Sequence, residues 1–172
     1  MKIFIPFNVP SSKNSKVATA KGVFMSKTVR KYLQALGIKS FSVSKKTVEG
    51  YKTAGRPNLF ELAVAPVREY LRDKDPPHVI GFHFIRGSKH AFDIINVQQI
   101  ICDLLVAHGV IEDDCADFLI PESFKINGRW YSYDKERPGV IIQSSYEKKM
   151  TEDEEILLYD AMISIQKNAV KK

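Results

Sequence analysis

Residues 78–114, HVIGFHFIRGSKHAFDIINVQQIICDLLVAHGVIEDD, run as a strand, a basic turn, a helix and an acidic loop. His78 to Arg86 is rich in β-branched and aromatic residues, the composition of a strand that packs on a pleated surface. Arg86-Gly87-Ser88-Lys89-His90 ends it as a basic turn. The period then changes. At about 100° per residue, Ile94, Val97, Ile100, Ile101, Leu104 and Leu105 gather on one face of a helix running from Ile94 to His108. Asp93 caps its start, and Gly109 stands where a left-handed residue stops a helix.

Outward from this unit, Lys2 to Phe7 alternates as a strand closed by Pro6 and Pro10, and Pro10 to Lys16 is a polar loop. Val23-Phe24-Met25 forms a short strand, after which Ser26 caps a helix to about Leu36 that Gly37 ends. Residues 38–57 are Ser-, Lys-, Thr- and Gly-rich without a period and read as a loop insertion. Asn58 with Glu61 is a capping box opening a helix to about Arg72, ahead of Pro76-Pro77. Beyond the acidic loop, Ala116 to Ile120 is a strand, Asn127-Gly128 turns a hairpin within Phe124–Tyr133, and Gly139 to Ser144 is a buried strand. Thr151 with Glu154 caps a last helix to about Gln166. The expectation is a single α/β (α+β) domain over residues 1–145, a mixed sheet packed by helices, with a C-terminal helix in 146–172 lying on it or at a dimer interface.

The charge is divided along the chain. Residues 1–90 hold 17 Lys and Arg against 5 Asp and Glu, and residues 91–172 hold 9 against 15. A basic half joined to an acidic half suits a polyanion held against a carboxylate cluster. No apolar run approaches the ~20 residues that cross a bilayer, and the apolar part of MKIFIPFNVP is too short and too soon broken by proline to read as a signal peptide, so cytoplasm is the expected location. Cys102 and Cys115 make neither a disulfide framework nor a four-ligand zinc site.

Chemistry is concentrated around the helix. Asn96, Gln99 and Asp103 fall within about 60° of one another beside the apolar face, and Asp93 shares their edge. After Gly109, the acids Glu112, Asp113 and Asp114 follow in succession and repel one another. A hard divalent cation offsets such repulsion, and magnesium takes one or two carboxylates with waters and a phosphate oxygen. Asp93 beside Asp113 or Asp114 would make that site, for attack on a phosphodiester. Each residue also has a plainer role: Asp93 as a cap, Glu112 to Asp114 as a solvated turn, Asp103 as a structural acid, His108 as a helix-terminal cation or packing residue, and His83 as a core or edge residue of its strand.

Together these residues resemble the RusA family of Holliday junction resolvases, common in phages and prophages. Asp93, Asn96 and Asp103 follow the family's register, Gly109-Val110-Ile111-Glu112-Asp113-Asp114 matches its ending, and Ile5-Pro6 through Pro10-Ser11-Ser12-Lys13-Asn14 resembles its amino terminus. The likeness covers roughly residues 2–37 and 78–120. It implies a magnesium-dependent homodimer (manganese as possible substitute) that cuts branched DNA without a small-molecule cofactor. Asp93 and Asp114 would be metal ligands and catalytic residues, with Asp113 assisting. Two positions depart from the family: Ile95 replaces a second aspartate and Gln99 replaces a lysine. Asn96 would then supply a neutral oxygen ligand, Lys89 or His90 would stand in for the lysine, and Lys13, Asn14, Lys16, Lys27, Arg30, Arg86 and Lys89 would contact phosphates. The same departures leave open a protein that binds branched DNA without cutting it.

Overall fold

The computed structural model describes residues 1–11, 16–19, 22–38 and 57–145. In chain order the elements are β1 (Lys2–Pro6), β2 (Lys16–Thr19), β3 (Gly22–Met25), α1 (Lys27–Ala35), α2 (Leu59–Leu71), β4 (His78–Arg86), α3 (Ile94–Ala107), β5 (Leu119–Ser123), β6 (Tyr131–Tyr133) and β7 (Gly139–Ser145). Five strands make one sheet in the order β1-β7-β4-β5, with β6 also on β4, while β2 and β3 pair as a separate ribbon. β7 is antiparallel to both β1 and β4, whereas β5 and β6 run parallel to β4. The sheet is therefore mixed and the domain is α+β, as the order of elements implies.

The pleat sorts residues onto two faces. Ile5 and Phe84 both oppose Val140, and Phe82 opposes Ile142, so these side chains share a face. They join Val29 and Leu33 of α1, Phe60, Val64 and Val67 of α2, and Val97, Ile101, Leu104 and Leu105 of α3 in a single buried core. On the other face His83 is only 1% exposed, yet its ring is satisfied by the Phe124 carbonyl at 3.1 Å and Ser132 Oγ at 2.8 Å. It is a packing residue. Gly139 is required by close approach, because a Cβ there would run into the Ile5 carbonyl oxygen and the Phe4 ring.

The helix ends follow local chemistry. Ser26 Oγ accepts from the Val29 backbone N–H, and both halves of the Asn58/Glu61 box form at 2.9 Å. α1 and α3 each close with a glycine at positive φ, Gly37 at 79° and Gly109 at 59°. In each, the next residue's N–H returns to the helix, Ile38 to the Leu33 carbonyl and Val110 to the Leu105 carbonyl.

Two expectations are corrected. The strand expected at Ala116–Ile120 begins instead at Leu119, because the Cys115 carbonyl accepts from both Phe118 and Leu119 and winds 115–118 into a turn. Asn127 and Gly128 adopt the left-handed turn expected of them, but the hairpin is a single bridge, Ile126 to Arg129. The segments on either side, β5 and β6, do not pair with each other. Both lie along the same edge of β4, so the turn is an excursion that returns the chain to its former direction. The loop holding Lys13 and Asn14, most of the 38–57 insertion and the C-terminal helix expected in 146–172 lie outside the described residues.

Candidate functional site

α3 presents two different stripes. Val97, Ile100, Ile101, Leu104 and Leu105 are buried, whereas Gln99 is exposed and Asn96 and Asp103 are half-buried along its flank. At the cap, Asp93 Oδ1 accepts from the Ile95 and Asn96 backbone N–H groups at 3.0 and 3.5 Å, and Oδ2 accepts from Asn96 Nδ2 at 2.7 Å. The cap role expected of Asp93 is filled. Asn96, expected to offer its oxygen to a cation, turns its amide N–H to Asp93.

One turn further along, Gln99 Nε2 donates to Asp103 Oδ1 at 2.9 Å and to Asp114 Oδ2 at 2.6 Å. The loop after Gly109 therefore folds back along the helix and lays Asp114 on the polar stripe. The Asp113 carboxylate accepts from the Asp114 backbone N–H at 2.9 Å and helps shape that loop. The sequence sets Asp93 beside Asp113 or Asp114 as the expected pair of acids. The acid that shares a hydrogen-bond donor with Asp114 is Asp103, and Asp93 sits at the cap, six residues or about 9 Å of helix rise before Gln99. The four-residue spacing of Gln99 and Asp103 puts them within reach of each other on α3, and the acidic loop brings Asp114 to the same amide.

Two carboxylate oxygens converging on one amide nitrogen form a place a cation could take over, because a neutral amide offers only partial charge. The oxygens are hard donors, and two carboxylates lie within magnesium's habit. Among the described residues no group of three or more His, Cys, Asp or Glu is gathered to hold a metal. Ile95, at the position of the resembled family's second aspartate, is 73% exposed and apolar. Replacing Gln99 with lysine would put an ammonium between Asp103 and Asp114. For an exposed ion pair we expect up to about 1 kcal/mol of added stability, shrinking as salt is raised. Urea unfolding of Gln99→Lys at low and high ionic strength checks this, and equal stability of variant and parent at low salt would refute it.

The acids also act on the interior. Burial pushes the Cys102 thiol up to about 12, and the charges of Asp114 and Asp103 add to the effect. Cys115, next in sequence to Asp114, is exposed.

The expected phosphate contacts fall in three settings. Arg86 is half-buried: Nη1 donates to the Val9 carbonyl at 2.6 Å, its guanidinium lies 4.6 Å from the Phe92 ring centroid, and burial lowers its pKa. Its placement makes it a brace between the end of β4 and the loop after β1. The Gly87 N–H donates to Asn8 Oδ1 at 3.1 Å and ties the same two segments, so the stem leading to Lys13 and Asn14 is held against the basic turn. Lys89 is exposed, with Nζ 5.5 Å from the Tyr133 ring centroid. Lys27 and Arg30 are exposed on α1, and Lys16 begins β2. His108 is buried, with Nδ1 2.9 Å from the Leu104 carbonyl, and packs at 4.8 Å from Phe60.

No protein-family model and no curated protein matches this chain. Among the described residues, no helix is long and apolar enough to cross a membrane.

Proposed function

We propose that this chain is a magnesium-dependent endodeoxyribonuclease acting on branched DNA, with the four-way junction as its reference substrate. The observation that carries the proposal is the return of Asp114 onto the polar stripe of α3, where Asp93, Asn96, Gln99 and Asp103 already lie. Acids distant in sequence are thereby collected on one exposed side of one rigid element. The resemblance to RusA resolvases, in the spacing from Asp93 to Asp113-Asp114, supports the same chemistry.

In this proposal Asp114, with Asp103 beside it, holds the ion, while Asp93, Asp113 and Asn96 add charge and oxygen donors along the same stripe; when bound, the ion supplies a polarised phosphoryl oxygen and an activated water. Gln99 fixes the direction of the Asp114 carboxylate and Asn96 that of Asp93. Lys89 supplies an exposed cation for the phosphate under attack, while Lys13, Asn14, Lys16, Lys27 and Arg30 hold flanking phosphates, a binding mode that weakens steeply with salt. A homodimer, cutting two strands and working in the cytoplasm, belongs to the proposal. Incubating the protein with an end-labelled four-way junction and Mg²⁺ tests it. Paired nicks at symmetric positions, stopped by EDTA, are expected.

A second function is favoured by the exposed aliphatic Ile95 and the neutral Gln99: binding of branched DNA without cleavage. Junction binding indifferent to magnesium, with no cut strands in Mg²⁺ or Mn²⁺, would select it.

A further inference from the structure

Phe92 and Ile94, the residues on either side of Asp93, line an open apolar hollow of about 430 Å³ together with Ser123, Trp130 and Tyr131. Contiguous exposed apolar surface marks a binding site more than scattered side chains do, and here Trp130 is 52%, Tyr131 53% and Tyr133 44% exposed within one short stretch. The rings are held in place. Tyr131 and Tyr133 are two residues apart on β6 and so share a face, opposite Phe84 and Arg86 of β4. Phe92 meets Tyr131 edge-on, with centroids 5.1 Å apart and planes at 88°. Cations attend the rings, Lys125 Nζ lying 4.8 Å from the Trp130 centroid and Lys89 Nζ 5.5 Å from that of Tyr133.

Flat apolar faces flanked by ammonium groups do not suit an apolar partner, which would strip water from the lysines without replacing it. They suit a ligand with a planar face and an attached anion. We propose that this hollow stacks an unpaired base of a single strand, its phosphates met by Lys125 and Lys89. Base–aromatic stacking tolerates any sequence because every base has a π-face, but a paired base inside a duplex cannot present that face. The inference rests on the nucleic-acid function proposed above and narrows its substrate class. The favoured DNA carries unpaired nucleotides at the branch, as in a flap or an opened junction, and they lie beside Asp93.

Trp130 is the one tryptophan of the chain, so intrinsic fluorescence reports this hollow. In EDTA and low salt, titration with an oligothymidylate is expected to quench that fluorescence saturably, and a fully paired duplex to quench it far less. Trp130→Ala, a change at an exposed position, should weaken oligothymidylate binding about tenfold by fluorescence anisotropy of labelled DNA, while Trp130→Phe keeps most of it. Binding without quenching, or unchanged affinity in Trp130→Ala, overturns the inference. So does a Trp130-dependent dimer seen by sedimentation without DNA, which would give the face to a second copy. Cleavage of a junction by a protein whose tryptophan is never quenched would sink the stacking alone. Quenching by oligothymidylate with no junction cut in Mg²⁺ would sink the nuclease alone.

Discussion

Asp114→Asn is expected to slow magnesium-dependent cleavage of a four-way junction about a thousandfold while leaving junction binding nearly intact. Asparagine keeps the shape of the side chain and an oxygen able to accept the Gln99 N–H, so the loop after Gly109 should stay on α3. The negative charge that would hold the ion is lost. Metal-ion stabilisation of phosphoryl transfer amounts to several kcal/mol, and about 4 kcal/mol corresponds to a thousandfold in rate. Single-turnover cleavage of a labelled junction, read beside a binding titration in EDTA, separates the two quantities. An unchanged cleavage rate would remove Asp114 from the chemistry.

The largest effect on stability is expected at Phe82, in β4, the strand with which three others pair. Its side chain is fully buried, it opposes Ile142 across the sheet, and its ring lies nearly parallel to that of Phe84 at 6.3 Å. Phe82→Ala removes most of a ring from a core shared by the sheet and all three described helices, a change that typically costs about 3–5 kcal/mol. Domains of this size are stable by roughly 5–15 kcal/mol, so urea unfolding should show a large fall in the midpoint. Phe4→Ala, on the half-open opposite face at 43% exposure, should cost much less. Equal losses at the two positions would mean that the interior is not arranged as described. The pair also calibrates the cleavage assay, because Phe82→Ala would lose activity with the fold and Asp114→Asn would lose it without.

Local chemistry made much of this architecture legible in the sequence. Asp93 and Gly109 bracket α3, Asn58 with Glu61 opens α2, and the composition of His78 to Arg86 identifies the central strand; each signal is complete within a few neighbouring residues. Misreadings arose where pairing is distant. β5 and β6 take their partners from β4, about forty residues earlier, and nothing within Phe124–Tyr133 distinguishes a hairpin from an excursion off a parallel edge. The polar stripe was legible in the same uneven way. Helical spacing placed Asn96, Gln99 and Asp103 together, but which acid the returning loop would set against them depends on its path after Gly109. That path brings Asp114 to Gln99 and so to Asp103, while Asp93 is engaged by Asn96.

The unequal surroundings of the two cysteines offer a practical handle. Cys102 is enclosed and keeps its proton at any ordinary pH, so thiol reagents should pass it by, whereas Cys115 faces solvent one residue beyond Asp114. A maleimide dye added to the unmodified protein would label that one position, and its colour or brightness would track the arrival of metal or DNA at the acidic loop without any engineered reporter.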